Sequence, residues 1–156
     1  MTIKETISEW LGETQGLMIK KYDELGFRAS GNWSKSLENE VTEGNGKYTA
    51  TISGANYTYW MEHGRKAGKF PPPNVIREWI KDKGIIAEGI SLNSLAFLIG
   101  RKIAEQGTKI RPGIVSDVIT QQRVQDLYDR IGQIFINEVR SDVIKELKNG
   151  NKNCKR

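Results

Sequence analysis

Glu62-His63-Gly64-Arg65-Lys66-Ala67-Gly68-Lys69-Phe70-Pro71-Pro72-Pro73, continued by Asn74-Val75-Ile76-Arg77-Glu78-Trp79-Ile80-Lys81-Asp82-Lys83-Gly84, joins a basic glycine loop to a proline stop and a short amphipathic helix. Three consecutive prolines fix φ and remove three backbone donors, so the loop must end extended. Pro73 or Asn74 then opens a helix, and Gly84 closes it. Read alone, this stretch is a loop that projects from a small scaffold to touch a partner.

On its N-terminal side, Leu37, Asn39 and Val41 alternate with Ser36, Glu38 and Glu40, and Tyr48, Ala50 and Ile52 alternate with Lys47, Thr49 and Thr51. Both runs read as half-buried strands. Gly44-Asn45-Gly46 between them supplies the positive-φ residues of a tight turn, which makes an antiparallel hairpin. Tyr57 to Met61 is an aromatic cluster leading into the basic loop, either a third strand or a single helical turn. Further upstream, Ile3, Ile7, Trp10, Leu11, Leu17, Met18 and Leu25 recur at helical spacing over residues 3–25. Thr2 with Glu5 offers a capping box and Gly26 a stop. Gly12 and Gly16, one turn apart, either admit a close neighbour or merely weaken the helix.

Downstream, residues 93–106 read as a helix with Leu95, Leu98, Ile99 and Ile103 inward, ended by Gly107. Thr108 to Pro112 is a connector. From about Val118, the pattern Val124, Leu127, Tyr128, Ile131, Phe135, Val139, Val143, Leu147 predicts a long helix that either braces the sheet or reaches toward another subunit. Residues 1–148 form one domain, and 149–156 a flexible polar tail. The fold class is α+β: a small antiparallel sheet of a hairpin plus one or two further strands, packed with an N-terminal helix, two short central helices and a long C-terminal helix.

With 37% hydrophobic residues and four tryptophans in 156 residues, the chain can build an ordinary core and is not of the disordered class. Its apolar runs are too short for a membrane span, and its start lacks a signal-peptide core, which points to synthesis and residence in the cytoplasm. Cys154 is the only cysteine, so no internal disulfide forms. Charge is divided unevenly: residues 1–63 carry six Lys/Arg against nine Asp/Glu, a net of −3, and residues 64–156 carry eighteen against ten, a net of +8. Such a split suits a basic face for nucleic acid or a heterologous contact between copies, set against plain solvated charge.

Catalytic constellations are missing from the pattern. His63 is the one histidine, so a Ser-His-Asp triad must use it, and no zinc set can be assembled with a single tail cysteine. Gly64 to Lys69 resembles a Walker A loop but is one residue short between its glycines, lacks the following Ser/Thr and leads into prolines. Asp126 and Asp129, flanked by Arg123 and Arg130, read as an ion-paired helix face. No catalytic, cofactor-binding or metal-binding residue is assigned. Arg65, Lys66, Lys69, Phe70, Pro71 and Pro72 remain as an interaction loop whose charge and ring could track phosphates and stack on a base.

The order of these parts resembles the small bacteriophage tail-component and tail-completion proteins that join head to tail at the neck. The residues that carry the resemblance are Ser30-Gly31-Asn32-Trp33-Ser34-Lys35-Ser36-Leu37, Tyr57 with Glu62-His63-Gly64, Pro71-Pro72, Ile76, Trp79, Lys83-Gly84, Ala96 to Ile103, and Gly107-Thr108 with Pro112. Arg65 stands where many relatives have Thr or Ser, and Trp33 where a leucine is usual. Within this resemblance Gly31, Ser36, Leu37, Tyr57, Glu62, Gly64, Ile76, Trp79, Gly84 and Gly107 are structural positions. It implies a non-catalytic virion protein, without cofactor, assembled in the host cytoplasm. Its partners would be other copies in a ring of six or twelve, portal or adaptor and tail-tube proteins, and genomic DNA passing through the lumen, with no membrane. The alternative is a basic accessory protein that binds DNA nonspecifically.

Overall fold

The computed structural model describes residues 1–109 and 113–153, with side chains as far as Asn149. Its elements are α1 (Ile3–Glu24), α2 (Asn32–Lys35), β1 (Glu38–Gly44), β2 (Lys47–Ser53), α3 (Thr58–His63), α4 (Pro73–Asp82), α5 (Leu92–Gln106) and α6 (Gln121–Asn153). This is the α+β arrangement expected from the sequence. Among the described residues the sheet stops at two antiparallel strands, and the aromatic cluster takes the helical alternative as α3.

The capping box of α1 is formed: Thr2 Oγ1 accepts from Glu5 N–H at 3.2 Å, and Glu5 Oε2 accepts from Thr2 N–H at 2.7 Å. Its buried face is Thr6, Ile7, Trp10, Leu11, Thr14, Met18 and Tyr22. Leu17, expected inward, is exposed. It stands 100° from Met18 on the helix, outside the stripe, and Thr14 fills the line instead. Thr14 can be buried because its hydroxyl donates to the Trp10 carbonyl at 2.7 Å. Gly12 and Gly16 face open space, so no element approaches there.

In the hairpin, Glu38 pairs with Ser53 and Gly44 with Lys47, leaving Asn45-Gly46 as a two-residue turn. Both turn residues have positive φ, 51° and 72°, the requirement of a type I′ turn that matches strand twist. Val41, Tyr48 and Ile52 are half-buried, while Glu38 and Glu40 are exposed. Asn39 donates to Gln15 Oε1 at 2.6 Å, and Gln15 Nε2 donates to the Leu37 carbonyl at 3.1 Å, fixing the hairpin to α1.

Two apolar clusters hold the chain. The first joins Met18, Tyr22, Trp33, Leu37, Ile114 and Val118. Trp33, 1% exposed, stacks on Tyr22 with ring centroids 4.6 Å apart and donates from Nε1 to Thr58 Oγ1 at 2.9 Å. The second is the α4–α5 helical hairpin, with Ile76, Ile80 and Ala96 at its centre and Leu92, Leu95 and Ile99 around them. Leu98, expected inward, is exposed, and Ala96 with Gly100 faces α4. Small residues let the two helices approach closely, an outcome that hydrophobicity alone does not mark.

α6 begins at Gln121, and Val118 is buried in the turn before it. Trp10 Nε1 donates to the Arg123 carbonyl at 3.1 Å, and Arg123 Nη2 donates to Thr14 Oγ1 at 2.9 Å. Arg130 pairs with Glu13 at 3.1 Å and with Asp126 at 2.9 Å, and Gln125 donates to Asp129, so this is the ion-paired face expected. The helix continues through Asn153, across part of the segment expected as a tail. Cys154 to Arg156, like Ile110 to Pro112 of the connector, lie outside the described residues.

Candidate functional site

The basic loop does not project. Arg65 N–H donates to Thr108 Oγ1 at 2.7 Å, Thr108 N–H donates to the Arg65 carbonyl at 2.8 Å, and Gly68 N–H donates to the Ala104 carbonyl at 2.8 Å. The last carbonyls of a helix need donors from outside it, and the loop supplies one to α5. Arg65 Nη2 also closes back on the Lys69 carbonyl at 2.9 Å. Gly107 is where this strap crosses the helix end: its φ is 71°, and a Cβ there would collide with the Arg65 carbonyl oxygen. What remains available to a partner is the outer side, with Lys66, Lys69 and Phe70 exposed.

Phe70 lies against α5, its ring centroid 5.6 Å from that of Phe97. It rests over Gly100, where a Cβ would stand 2.6 Å from the ring, so the missing side chain makes its seat. Pro71 is buried, Pro72 caps α4 with ψ 126°, and Pro73 is its first residue. The prolines therefore stop the loop and start the helix, as their chemistry requires. Beside the strap, Ile99, Lys102, Ile103, Gln106, Gly107, Thr108 and Lys109 line an open depression with two lysines at its margin.

Glu62 anchors the loop from the other side. It is buried, and its Oε2 accepts from the N–H groups of Gly113 (3.2 Å), Ile114 (3.0 Å) and Val115 (3.2 Å), while Oε1 accepts from Ser116 N–H at 3.2 Å. Burial pushes this carboxyl up. The Ser116 side chain and the backbone N–H groups of Val115, Ser116 and Gly113 outweigh it and hold the group below the usual carboxylate range. The site is thus a charged latch between α3 and the segment that carries Ile114 into the first core.

The remaining motif residues fall into two sets. Gly31 caps α2, Ser36 Oγ accepts from Ala55 N–H at 3.0 Å, and Leu37 is buried, all around the first core. Ile76 and Trp79 belong to α4, the first buried and the second 41% exposed, and Gly84 follows the helix with φ 65°. Gly64 and Gly107 mark the joint between the sets, and Tyr57 is exposed at the start of α3. Sequence reasoning did not foresee the Glu62 latch, the Trp10–Arg123–Thr14 contact or the bond from Lys83 Nζ to the Gly26 carbonyl at 2.6 Å. For the first, the available signals were an acid in an otherwise apolar and aromatic run and the place of Glu62 in the Glu62-His63-Gly64 motif.

His63 stacks on Tyr59 with centroids 4.4 Å apart, and its Nδ1 lies 3.1 Å from the Tyr59 carbonyl. Among the described residues no group of three or more His, Cys, Asp or Glu side chains is placed to hold a metal ion, and no helix is long and apolar enough to cross a membrane. The chain matches no family model, no curated protein and no solved structure.

Proposed function

We propose that this chain is a virion structural protein without catalysis, which assembles as a ring in a phage neck or upper tail and joins the DNA-filled head to the tail. The observation that carries the reading is α6. From Phe135 to Asn149 every side chain on it is exposed, including Phe135, Ile136, Val139, Val143 and Leu147. A stripe of that size on a lone molecule marks a surface meant for a partner. The strapped basic loop supports the same reading, because a loop already fixed to α5 loses little entropy on docking. Closed rings are made of heterologous contacts, and a chain with a −3 half and a +8 half offers faces of opposite sign for them.

Electron microscopy of purified virions, with mass spectrometry of the neck, tests the proposal. A ring of this chain between portal and tail tube, in six or twelve copies, is the expected result. Its absence from particles would overturn the reading. Strong, salt-sensitive binding of duplex DNA by the purified chain would then favour the accessory DNA-binding alternative, for which Lys66, Lys69, Lys102 and Lys109 offer the cations.

A further inference from the structure

We infer that the distal half of α6 from one copy seats on the Phe70–Phe97 face of the next, and that repetition of this one contact propagates the assembly. The inference deepens the joining reading and rests on it for where the assembly sits. Its grounds are two exposed surfaces that match in apolar character, an acidic margin on one being the complement of a cationic rim on the other.

The first surface is on α6. Thirty-three residues make a helix about 50 Å long, against about 33 Å for the 22 residues of α1. Among the described residues, the last hydrogen bond or ion pair between the two helices is made by Arg130. At 100° per residue, Phe135, Val139, Val143 and Leu147 form one i, i+4 ridge, turned away from the face that carries Arg123 and Arg130 toward α1. The adjoining ridge one residue back is Glu138, Asp142 and Glu146, so a row of carboxylates borders the apolar one on that side, while the ridge one residue ahead is Ile136, Arg140, Ile144 and Lys148. Asp142 is met by Lys145 at 3.3 Å, and the other two have no ion pair among the described residues. The hairpin adds to this margin. The Tyr48 hydroxyl donates to Glu43 at 3.1 Å and is pushed above its ordinary range by that bond first, then by burial and by the nearby Glu43 and Glu138 charges.

The second surface lies where the loop is strapped to α5. Phe70 and Phe97 are 40% and 54% exposed and stand side by side. Arg101 is one turn beyond Phe97, held only by an exposed contact with Glu105 at 3.7 Å, and Lys66 and Lys69 flank Phe70 without an ion pair among the described residues. The result is an aromatic centre with a cationic rim, the anatomy of an interface with its anchors in the middle and its charges outside. An apolar ridge with a carboxylate margin along one side is the complement of that face in both respects.

Pairing α6 with α6 fits less well. Two such helices placed antiparallel bring the same acidic margin of each together, and like charges oppose that contact. Seating α6 on the Phe70–Phe97 face uses different patches on the two molecules, as a ring requires.

Cross-linking of full-length chains tests this. One chain carries Cys154→Ser and Ser94→Cys, one turn before Phe97, the other Cys154→Ser and Val139→Cys. The two are mixed at the concentration at which the protein assembles and treated with a short bismaleimide. The expected product is a 94–139 link. Its yield should fall about tenfold when Glu138→Lys, Asp142→Lys and Glu146→Lys are added to the second chain, and recover when Lys66→Glu, Lys69→Glu and Arg101→Glu are added to the first. A 139–139 link in its place, or assembly without a 94–139 link, overturns the inference. So does a charge reversal at Lys66, Lys69 and Arg101 that abolishes binding to a duplex DNA probe while leaving the 94–139 yield unchanged. A neck ring lacking the link sinks only this contact, whereas the link in a protein absent from particles sinks only the joining reading.

Discussion

Trp33 and Leu147 are both large apolar residues near a helix, yet one is 1% exposed and the other 67%. The first belongs to a cluster in which α1, α2, the hairpin approach and the segment at Ile114 close on one another. The second belongs to the distal half of α6, where every described side chain from Phe135 to Asn149 is exposed. A sequence pattern gives both the same weight, because periodicity reports which residues share a face and not what lies opposite. The comparison separates two tasks: the first core specifies the fold, and the distal half of α6 presents a surface.

That separation can be broken most sharply at Trp33. Trp33→Ala should destabilise the chain by about 4 kcal/mol, through lost stacking on Tyr22 and a cavity at the first core. Thermal or denaturant unfolding reads this directly, and a change under about 1 kcal/mol would mean that the cluster is not the foundation described.

Glu62 comes next. Glu62→Ala leaves the N–H groups of Gly113, Ile114 and Val115 without their acceptor and should cost about 3 kcal/mol, a midpoint lower by roughly 6–12 °C. The pH dependence gives its own signature. Because the folded-state pKa is depressed, the contribution is present above the unfolded value of about 4.3 and is lost as pH falls through the folded value. Glu62→Gln should therefore flatten the acid limb of a stability–pH curve. Glu5 and Asp23, also held low, the first by Thr2 and the second by Arg28, are solvent-screened and leave that limb mostly to Glu62.

Gly107→Ala should cost about 2 kcal/mol, since it forces a side chain into positive φ and against the Arg65 carbonyl. Hydrogen exchange at the Thr108 and Gly68 amides should speed up in this variant while the Trp33 neighbourhood stays protected. Uniform acceleration would show that the strap and the first core unfold as one unit.

Much of the fold was legible where local chemistry is decisive. The Thr2–Glu5 box, the Asn45-Gly46 turn, the proline entry to α4 and the glycine ends of α1 and α5 each follow from a backbone requirement that few residues satisfy. The failures share a different cause. Thr14, Ala96 and Gly100 are inward while Leu17 and Leu98 are not, because packing rewards close approach and an internally bonded hydroxyl as well as hydrophobicity. The loop's sequence alone suggests projection because its fastening is long-range: Thr108 and Ala104 hold it from some 40 residues away. Glu62 hid its role for the same reason, since its acceptor oxygens face a segment 51 residues or more downstream.

The most direct measurement is a pair of readings on one variant, Phe135→Ser, Val139→Ser, Val143→Ser. If distal α6 is an assembly surface and not part of the fold, the thermal midpoint of the purified chain should shift by no more than exposed substitutions allow, about 0.5 kcal/mol at each position. Supplied as the only copy, the same variant should leave heads without joined tails. A collapse in stability as large as that of Trp33→Ala, or particles joined at normal yield, would contradict the account.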